Sequence, residues 1–355
     1  MDYLIRRNDL RDCQWTEGAV AELGEGMARL RVEAFALTAN NVTYASFGEA
    51  MKYWDFFPAA DPAYGRVPVW GFATVIESTT PGVELGARVY GYLPISDTFD
   101  VKPARVGKES FMDGAEHRKG LAPIYNTYIV TAADPTYDAA FEAQQMLFRP
   151  LFTTGWMIDD CLMETGDAVP ETVVISSASS KTALALAHCL KLRGGVDAVA
   201  LTSPGNVDFV KSTGLYARTQ TYDQVDTMHA RGLTAFVDFL GRPALTADVH
   251  NAFRDRLVRS LVIGVTDWEG NRAPIQLPDP QPEFFFVPTY AAERAKVLGP
   301  DVLNQKLGSA LMSFYRASDA FITPQHDSGM EAIDAAWHDT VNGKVSPKTG
   351  LVLAF

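Results

Sequence analysis

Val173-Val174-Ile175-Ser176-Ser177-Ala178-Ser179-Ser180-Lys181-Thr182-Ala183 is the stretch from which the fold of this chain is read. An apolar run of strand length passes through small residues straight into a helical pattern over 182–193, with Leu184, Leu186, Ala187 and Leu190 as its buried side. Gly194-Gly195 closes that helix, and 198–202 follows as the next strand, completing one βαβ unit. Such a turn joins close backbone approach to the N–H groups of a helix N-terminus, whose dipole favours an anion such as a dinucleotide pyrophosphate. Glycine meets the demand best. With three-residue spacing, Ser177, Ser180 and Ala183 stand at the glycine positions, so the fingerprint is degraded. Two other readings stay open. Ser180-Lys181-Thr182 is similar to the end of a phosphate loop, with Asp238 as a magnesium-holding acid, although both loop glycines are missing. The serines also suit plain helix capping, with Lys181 solvated.

Outward from this unit, strand-length apolar runs at 172–177, 198–202, 235–240, 261–265 and 284–287 alternate with helical stretches, the pattern of a parallel sheet. The first 135 residues have a different texture, with short β-like runs at 27–36, 69–77, 87–92 and 125–131 between Gly and Pro, which predicts a mostly antiparallel domain. Helical periodicity starts at Phe141 and runs toward Leu162, placing the junction between Pro135 and Phe141. A segment holding Pro274, Pro278, Pro280, Pro282 and Pro288 interrupts the alternation, and helices are expected at 291–298, 301–315 and 330–341 before a last strand at 350–355.

The 355 residues are 47% hydrophobic and 21% charged, ordinary for a packed enzyme-sized chain of two domains. Lys and Arg number 31 against 43 Asp and Glu, a net charge of -12 that repels polyanions, so nucleic acid is not an expected partner. Cysteines at 13, 161 and 189 are too few and too scattered for a disulfide framework or a metal knot. MDYLIRRNDLRDC has no apolar run behind its arginines, and no window approaches roughly 18 apolar residues. The expectation is a cytoplasmic chain acting on a small molecule without membrane contact; a homodimer is compatible with it.

A dinucleotide makes a second demand, an acid about 20 residues on at the next strand tip, to hold the adenine ribose. Counting from Ala183 reaches Ser203, and the tip Leu201-Thr202-Ser203-Pro204-Gly205-Asn206 carries no carboxylate to repel a 2′-phosphate. NADP is therefore preferred over NAD. Lys211 and Tyr222 are further candidate contacts, while Ser203 and Asn206 equally suit an ordinary turn.

The order of segments resembles the medium-chain dehydrogenase/reductase superfamily, on its zinc-free quinone-reductase-like and enoyl-reductase-like side. Val83-Glu84-Leu85-Gly86-Ala87-Arg88-Val89-Tyr90-Gly91 is similar to the family's glycine-x-arginine-valine strand entry, and Phe72-Ala73-Thr74-Val75-Ile76-Glu77 to the strand before it. Leu151-Phe152-Thr153-Thr154-Gly155-Trp156 resembles the helix that contacts the nicotinamide, and Gly166-Asp167 stands where the family precedes its first nucleotide strand. The resemblance covers most of 20–270 and the end from about 330. It implies an α/β protein with a GroES-like β domain, 1–135 completed by about 310–355, and a Rossmann-type doubly wound parallel sheet in 136–290. The implied cofactor is NADP, bound between the two domains and held by Thr154, Ser177, Ser179, Ser180, Lys181, Thr182, Ser203, Asn206, Tyr222 and Gly264.

Where the family's zinc enzymes carry a glycine-histidine-glutamate segment, this chain has Val69-Trp70-Gly71, or Gly71-Phe72-Ala73 in a slipped register, and neither binds zinc. The six histidines show no metal spacing, and His188 falls inside the 182–193 helix, where packing suits it better than catalysis. Without a Lewis acid, hydride addition to a quinone or activated alkene needs only a proton donor. Asn40-Asn41-Val42-Thr43-Tyr44 resembles the family's asparagine-containing active-site strand exit, which implies Tyr44 as enolate partner and Asn40 or Asn41 as orienting groups. A core tyrosine beside a turn fits Tyr44 equally, and Tyr53 and Tyr64 compete for the role. The degraded fingerprint also leaves open an NADP-binding protein without catalysis, with a regulatory or assembly role. Tyr290, Arg294 and Phe284-Phe285-Phe286 offer themselves as cleft lining, although a buried strand explains the phenylalanines more simply; the charged stretch 107–119 reads as a solvated loop.

Overall fold

The structure, a computed structural model, describes residues 1–17, 21–164, 168–264 and 276–355. Gly166-Asp167, the end of the strand expected at 261–265, and Pro274 lie outside the described residues. The first strands along the chain are β1 (Asp2–Arg6), β2 (Asp9–Thr16), β3 (Ala28–Leu37), β4 (Tyr64–Gly65), β5 (Pro68–Ser78), β6 (Arg88–Pro94), β7 (Thr98–Val101), β8 (Pro103–Ala104), β9 (Ser110–Asp113) and β10 (Thr127–Val130). They are followed by β11 (Thr172–Ile175), β12 (Asp197–Thr202), β13 (Arg218–Thr221), β14 (Thr234–Asp238), β15 (Leu257–Val262), β16 (Glu283–Phe284), β17 (Thr323–Ser328) and β18 (Thr349–Ala354). The helices are α1 (Ala39–Ser46), α2 (Glu142–Glu164), α3 (Lys181–Arg193), α4 (Val207–Ser212), α5 (Pro243–Phe253), α6 (Val287–Leu298), α7 (Pro300–Ser318) and α8 (Met330–Val341). The chain divides into two compact units, 1–147 with 323–355, and 148–322.

The first unit carries two sheets, antiparallel except for the β17–β18 pair. Its larger sheet runs β17-β18-β3-β5-β6-β10-β9-β8, with β7 also on β3, and a small sheet runs β2-β1-β4. In β3, Leu30 and Val32 are buried while Arg31 faces out, the alternation of a strand with one solvated face. Gly71 permits the tight β3–β5 pairing, because a Cβ there would stand 2.2 Å from the Ala34 carbonyl oxygen.

The second unit holds a six-stranded, all-parallel sheet in the order β13-β12-β11-β14-β15-β16. Counted from β11 this is 3-2-1-4-5-6, the doubly wound Rossmann order, with its direction reversing between β11 and β14. Val173, Val174 and Ile175 are fully buried, as central parallel strands covered on both faces must be. Gly155 lets α2 approach α3, since a Cβ there would meet the Leu186 nitrogen at 2.7 Å.

Several expectations are corrected. The strand expected at 284–287 is only Glu283–Phe284, and Val287 already opens α6 with Pro288 in its first turn, where a fixed φ suits a helix start. Of the three phenylalanines only Phe285 is buried; Phe284 is 61% exposed. The Tyr290 hydroxyl donates to Asp160 of α2 at 2.6 Å and Arg294 Nη2 to the same carboxylate at 3.0 Å, so both side chains anchor α6. At 125–131 only Thr127–Val130 is strand, because Pro123 begins a 3-10 turn over Pro123–Asn126. The 107–119 stretch is not wholly solvated: Arg118 is buried.

Candidate active site

In the second unit the carboxyl ends of β11 and β14 are stitched together. The Ser176 hydroxyl donates to Asp238 Oδ1 at 2.6 Å and accepts from the Phe239 and Leu240 amides at 2.8 and 3.0 Å. Asp238 also accepts from the Leu240 and Gly241 amides and from the Thr246 hydroxyl. Burial pushes its carboxyl up, and these donors oppose that. At 2% exposure with its oxygens so engaged, Asp238 closes the strand ends and does not present a magnesium ligand to solvent.

The turn that follows is the one read from the sequence. Ser177 holds φ +45°, the left-handed region that favours glycine, at a cost of about 1 kcal/mol. Ser180 is the N-cap of α3, its hydroxyl accepting from the Ala183 amide at 3.4 Å. Lys181 and Thr182 form the first turn, half-buried, and desolvation brings the Lys181 ammonium down to about 8. Asn206 Nδ2 donates to the Ser179 hydroxyl at 3.0 Å, and the Tyr216 hydroxyl to the Ala178 carbonyl at 2.8 Å. Tyr222, just past β13, hydrogen-bonds Ser177 while the Arg242 guanidinium lies 5.9 Å from its ring centroid. Ser203 follows β12 half-buried, and among the described residues nothing lies within 4 Å of where a Cβ on Gly264 would stand. The Thr154 hydroxyl donates to the Pro150 carbonyl of its own helix at 3.2 Å, which leaves its oxygen able to accept. Ser179 is thus joined directly to Asn206, and Ser177 to Tyr222. Tyr216 and Arg242 are not legible in the sequence, because their contacts exist only once β13 lies on β12 and the chain from β14 into α5 is folded.

In the first unit the expected strand exit at Asn40–Tyr44 is a helix. Thr38 caps α1: its hydroxyl accepts from the Asn40 amide, and Asn41 Oδ1 accepts from the Thr38 amide at 2.8 Å. Asn41 Nδ2 donates to the Pro68 carbonyl at 2.9 Å, so this buried amide fastens α1 to β5. Asn40 is half-buried and reaches the Tyr44 hydroxyl.

Tyr44 sits in an array of phenols. Its ring centroid lies 4.6 Å from Tyr53, 5.5 Å from Tyr92 and 6.4 Å from Tyr125, and its hydroxyl accepts from Trp70 Nε1 at 3.3 Å. The Tyr53 end is fixed by Trp54, whose indole fills the space left by Gly48 and Gly65; a Cβ at either would stand 2.0 or 2.2 Å from the ring. Burial pushes all four phenols above their ordinary value, so they hold their protons at neutral pH. Tyr92 is fully buried, and its hydroxyl lies near that of Tyr44 without a well-aligned bond. Tyr64 stands elsewhere, accepting from Arg6 Nη2 at 2.7 Å. The array is chemically a set of neutral proton donors. Sequence reasoning missed Tyr92 and Tyr125, whose only signal was an aromatic residue at the end of a strand and another just past a proline.

Among the described residues no group of three or more His, Cys, Asp or Glu could hold a metal ion, and no helix is long and apolar enough to cross a membrane.

Solved structures share the fold over nearly the whole chain. CurA from Vibrio vulnificus in complex with NADPH superposes with a TM-score of 0.59 at 13% identity, covering 96% of this chain and 94% of that one. A putative NADPH:quinone reductase from Bacillus thuringiensis gives 0.58 at 11%, covering 100% and 98%. A mutant form of enoyl thioester reductase from Candida tropicalis gives 0.54 at 11%, covering 100% and 99%. At such identities the likeness shows the fold alone, a GroES-like, mostly antiparallel part and a Rossmann-type parallel sheet. A search of the curated proteins finds no match. The family model described as "Protein of unknown function (DUF2855)" matches residues 35–346, and the chain belongs to that family.

Proposed function

We propose that the chain is an NADPH-dependent oxidoreductase that reduces a conjugated carbonyl compound, a quinone or an enoyl derivative, without a metal ion. The observation that carries this reading is the 3-2-1-4-5-6 order of the parallel sheet, with the positive-φ turn at Ser177 on its switch point. Dinucleotides bind at such a point in open α/β sheets, and Ser177 takes the backbone shape that a glycine would supply. Solved proteins of the same fold include one in complex with NADPH.

Ser177, Ser179, Ser180, Lys181 and Thr182 would hold the pyrophosphate, with Ser203, Asn206 and Tyr222 on the adenosine side and Thr154 and Gly264 on the nicotinamide side. Bound NADPH supplies the hydride. The chain supplies the proton: Tyr44 Oη stays protonated because it is buried, and accepting from Trp70 leaves its own O–H to be donated. A pre-placed hydroxyl of this kind stabilises the oxyanion that forms when hydride adds to the β-carbon of a conjugated carbonyl. Asn40 orients that hydroxyl. With Val69-Trp70-Gly71 where a metal-binding segment would stand, proton donation replaces the Lewis acid.

The test is NADPH consumption against a panel of quinones, enones and enoyl thioesters, with and without chelator. Steady turnover unaffected by chelator is expected. Nucleotide binding without turnover across the panel would support a non-catalytic NADP-binding role, and no quenching of NADPH fluorescence at millimolar concentration would remove the cofactor as well.

A further inference from the structure

Behind the phenol array lies a buried ion pair. Arg118 and Asp113 expose 2% and 3% of their side chains, with Nε 3.0 Å from Oδ2. Arg118 Nη1 donates to the Tyr125 carbonyl at 3.4 Å and to Asn126 Oδ1 at 3.3 Å, and Asn126 Nδ2 donates back to the Arg118 carbonyl. Asp113 is itself fixed, accepting from the Lys102 and Ala115 amides at 3.2 and 2.9 Å. The guanidinium lies 4.4 Å from the Phe57 centroid and 5.6 Å from that of Phe56, and Phe56 in turn packs 5.3 Å from Tyr92 and 5.4 Å from Tyr125. Its reach therefore joins three segments that surround Tyr44.

A buried pair of this kind adds little stability over apolar side chains of the same volume, so stability alone does not account for it. We propose that Arg118, held by Asp113, is a positioning residue for the phenol array, fixing Tyr125 through its backbone and Phe56 through its ring. The catalytic part rests on reading the array as the proton-donating site. The charge acts in the useful direction: Arg118 opposes the desolvation that pushes Tyr92 and Tyr128 up. Asp113 partly offsets this at Tyr128, and the other ionisable groups acting on Tyr92 are the phenols of Tyr44, Tyr53 and Tyr125.

The test uses the full chain with Arg118→Met/Asp113→Leu, which removes both charges together, and Arg118→Lys, which keeps the charge but loses the planar fork. Alkaline titration of the phenols, read by near-ultraviolet absorbance, is compared with kcat and KM. In the double variant the buried phenols are expected to ionise at higher pH than in the wild type, with kcat lowered on the order of 10-fold and KM nearly unchanged. Arg118→Lys is expected between the two. An unchanged phenol titration in both variants overturns the proposal, whatever the activity. A shifted titration with unchanged kcat, or a wild type that reduces nothing, leaves Arg118 as the positioner of the array and overturns the catalytic role of the phenols instead.

Discussion

Tyr44→Phe removes one oxygen from a side chain that is 5% exposed, and so separates packing from chemistry. The ring contacts with Tyr53 and Tyr92 remain, while Trp70 Nε1 loses its acceptor at a cost of about 1 kcal/mol, readable as a lower melting temperature. A proton donor lost here lowers turnover on the order of 10- to 1000-fold with NADPH affinity nearly unchanged. Normal turnover in this variant would leave Tyr44 as packing and move the role to Tyr53, 4.6 Å away. Lys181 makes a prediction of opposite character, in binding. Desolvation brings its ammonium down to about 8, so the charge that would face a pyrophosphate is lost as pH rises through that value. NADPH affinity should then fall by up to about tenfold per pH unit above it, and should be flat with pH in Lys181→Met. Fluorescence titrations across this range check it, and a flat wild-type profile would take Lys181 out of the site.

At the scale of elements, the tip of β12 and the packing of α3 carry the predictions. Ser203→Asp places a carboxylate where the sequence has none and should weaken NADPH by about 1 to 3 kcal/mol through charge repulsion, measured against NADH as control. Equal affinities before and after the change would separate Ser203 from the 2′-phosphate. Within α3, His188 is 6% exposed, its ring lies 5.1 Å from Phe314 of α7, and its Nε2 has no partner among the described residues. Burial lowers it to about 4 from 6.5, so the unfolded chain takes up the proton first. The neutral ring therefore favours the fold above the unfolded value, and that contribution is lost as pH falls from 6.5 toward 4. Denaturant midpoints at neutral and mildly acidic pH should show a smaller acid loss in His188→Leu than in the wild type; parallel losses would contradict it.

These elements also mark how far the sequence could be read. The β11–α3–β12 unit and the helix at 330–341 came from local periodicity, and the observed bounds Lys181–Arg193 and Met330–Val341 agree with it. Asn40–Tyr44 resembles a strand exit in sequence, yet Thr38, three residues before Asn41, caps a helix there. Arg118 was read as solvated because its partners Asp113, Phe57 and Tyr125 meet only through tertiary packing.

For the whole molecule, the order of segments along the chain carried more than any single motif. The mostly antiparallel first unit and the parallel second unit show as a change from strand periodicity to βαβ alternation, whereas the return of the chain's end to the first is implied only by the resemblance; 323–355 belongs to the first unit. A chain of net charge -12 would meet an anionic nucleotide through local cations, and the proposed function gives that task to Lys181, with Arg242 beside Tyr222 a second cation in the same unit. What the segment order leaves open is the chemistry itself. The most direct measurement is transfer of label from NADPH carrying two deuterium atoms at the reactive nicotinamide carbon, with the reduced enone or enoyl product analysed by mass spectrometry. A reductase that delivers hydride to the β-carbon of an enoyl or enone substrate gives a product carrying one deuterium there, in proportion to the NADPH consumed, and gives it equally with chelator present. NADPH that binds and keeps its label across the whole panel, with no substrate reduced, would contradict the oxidoreductase.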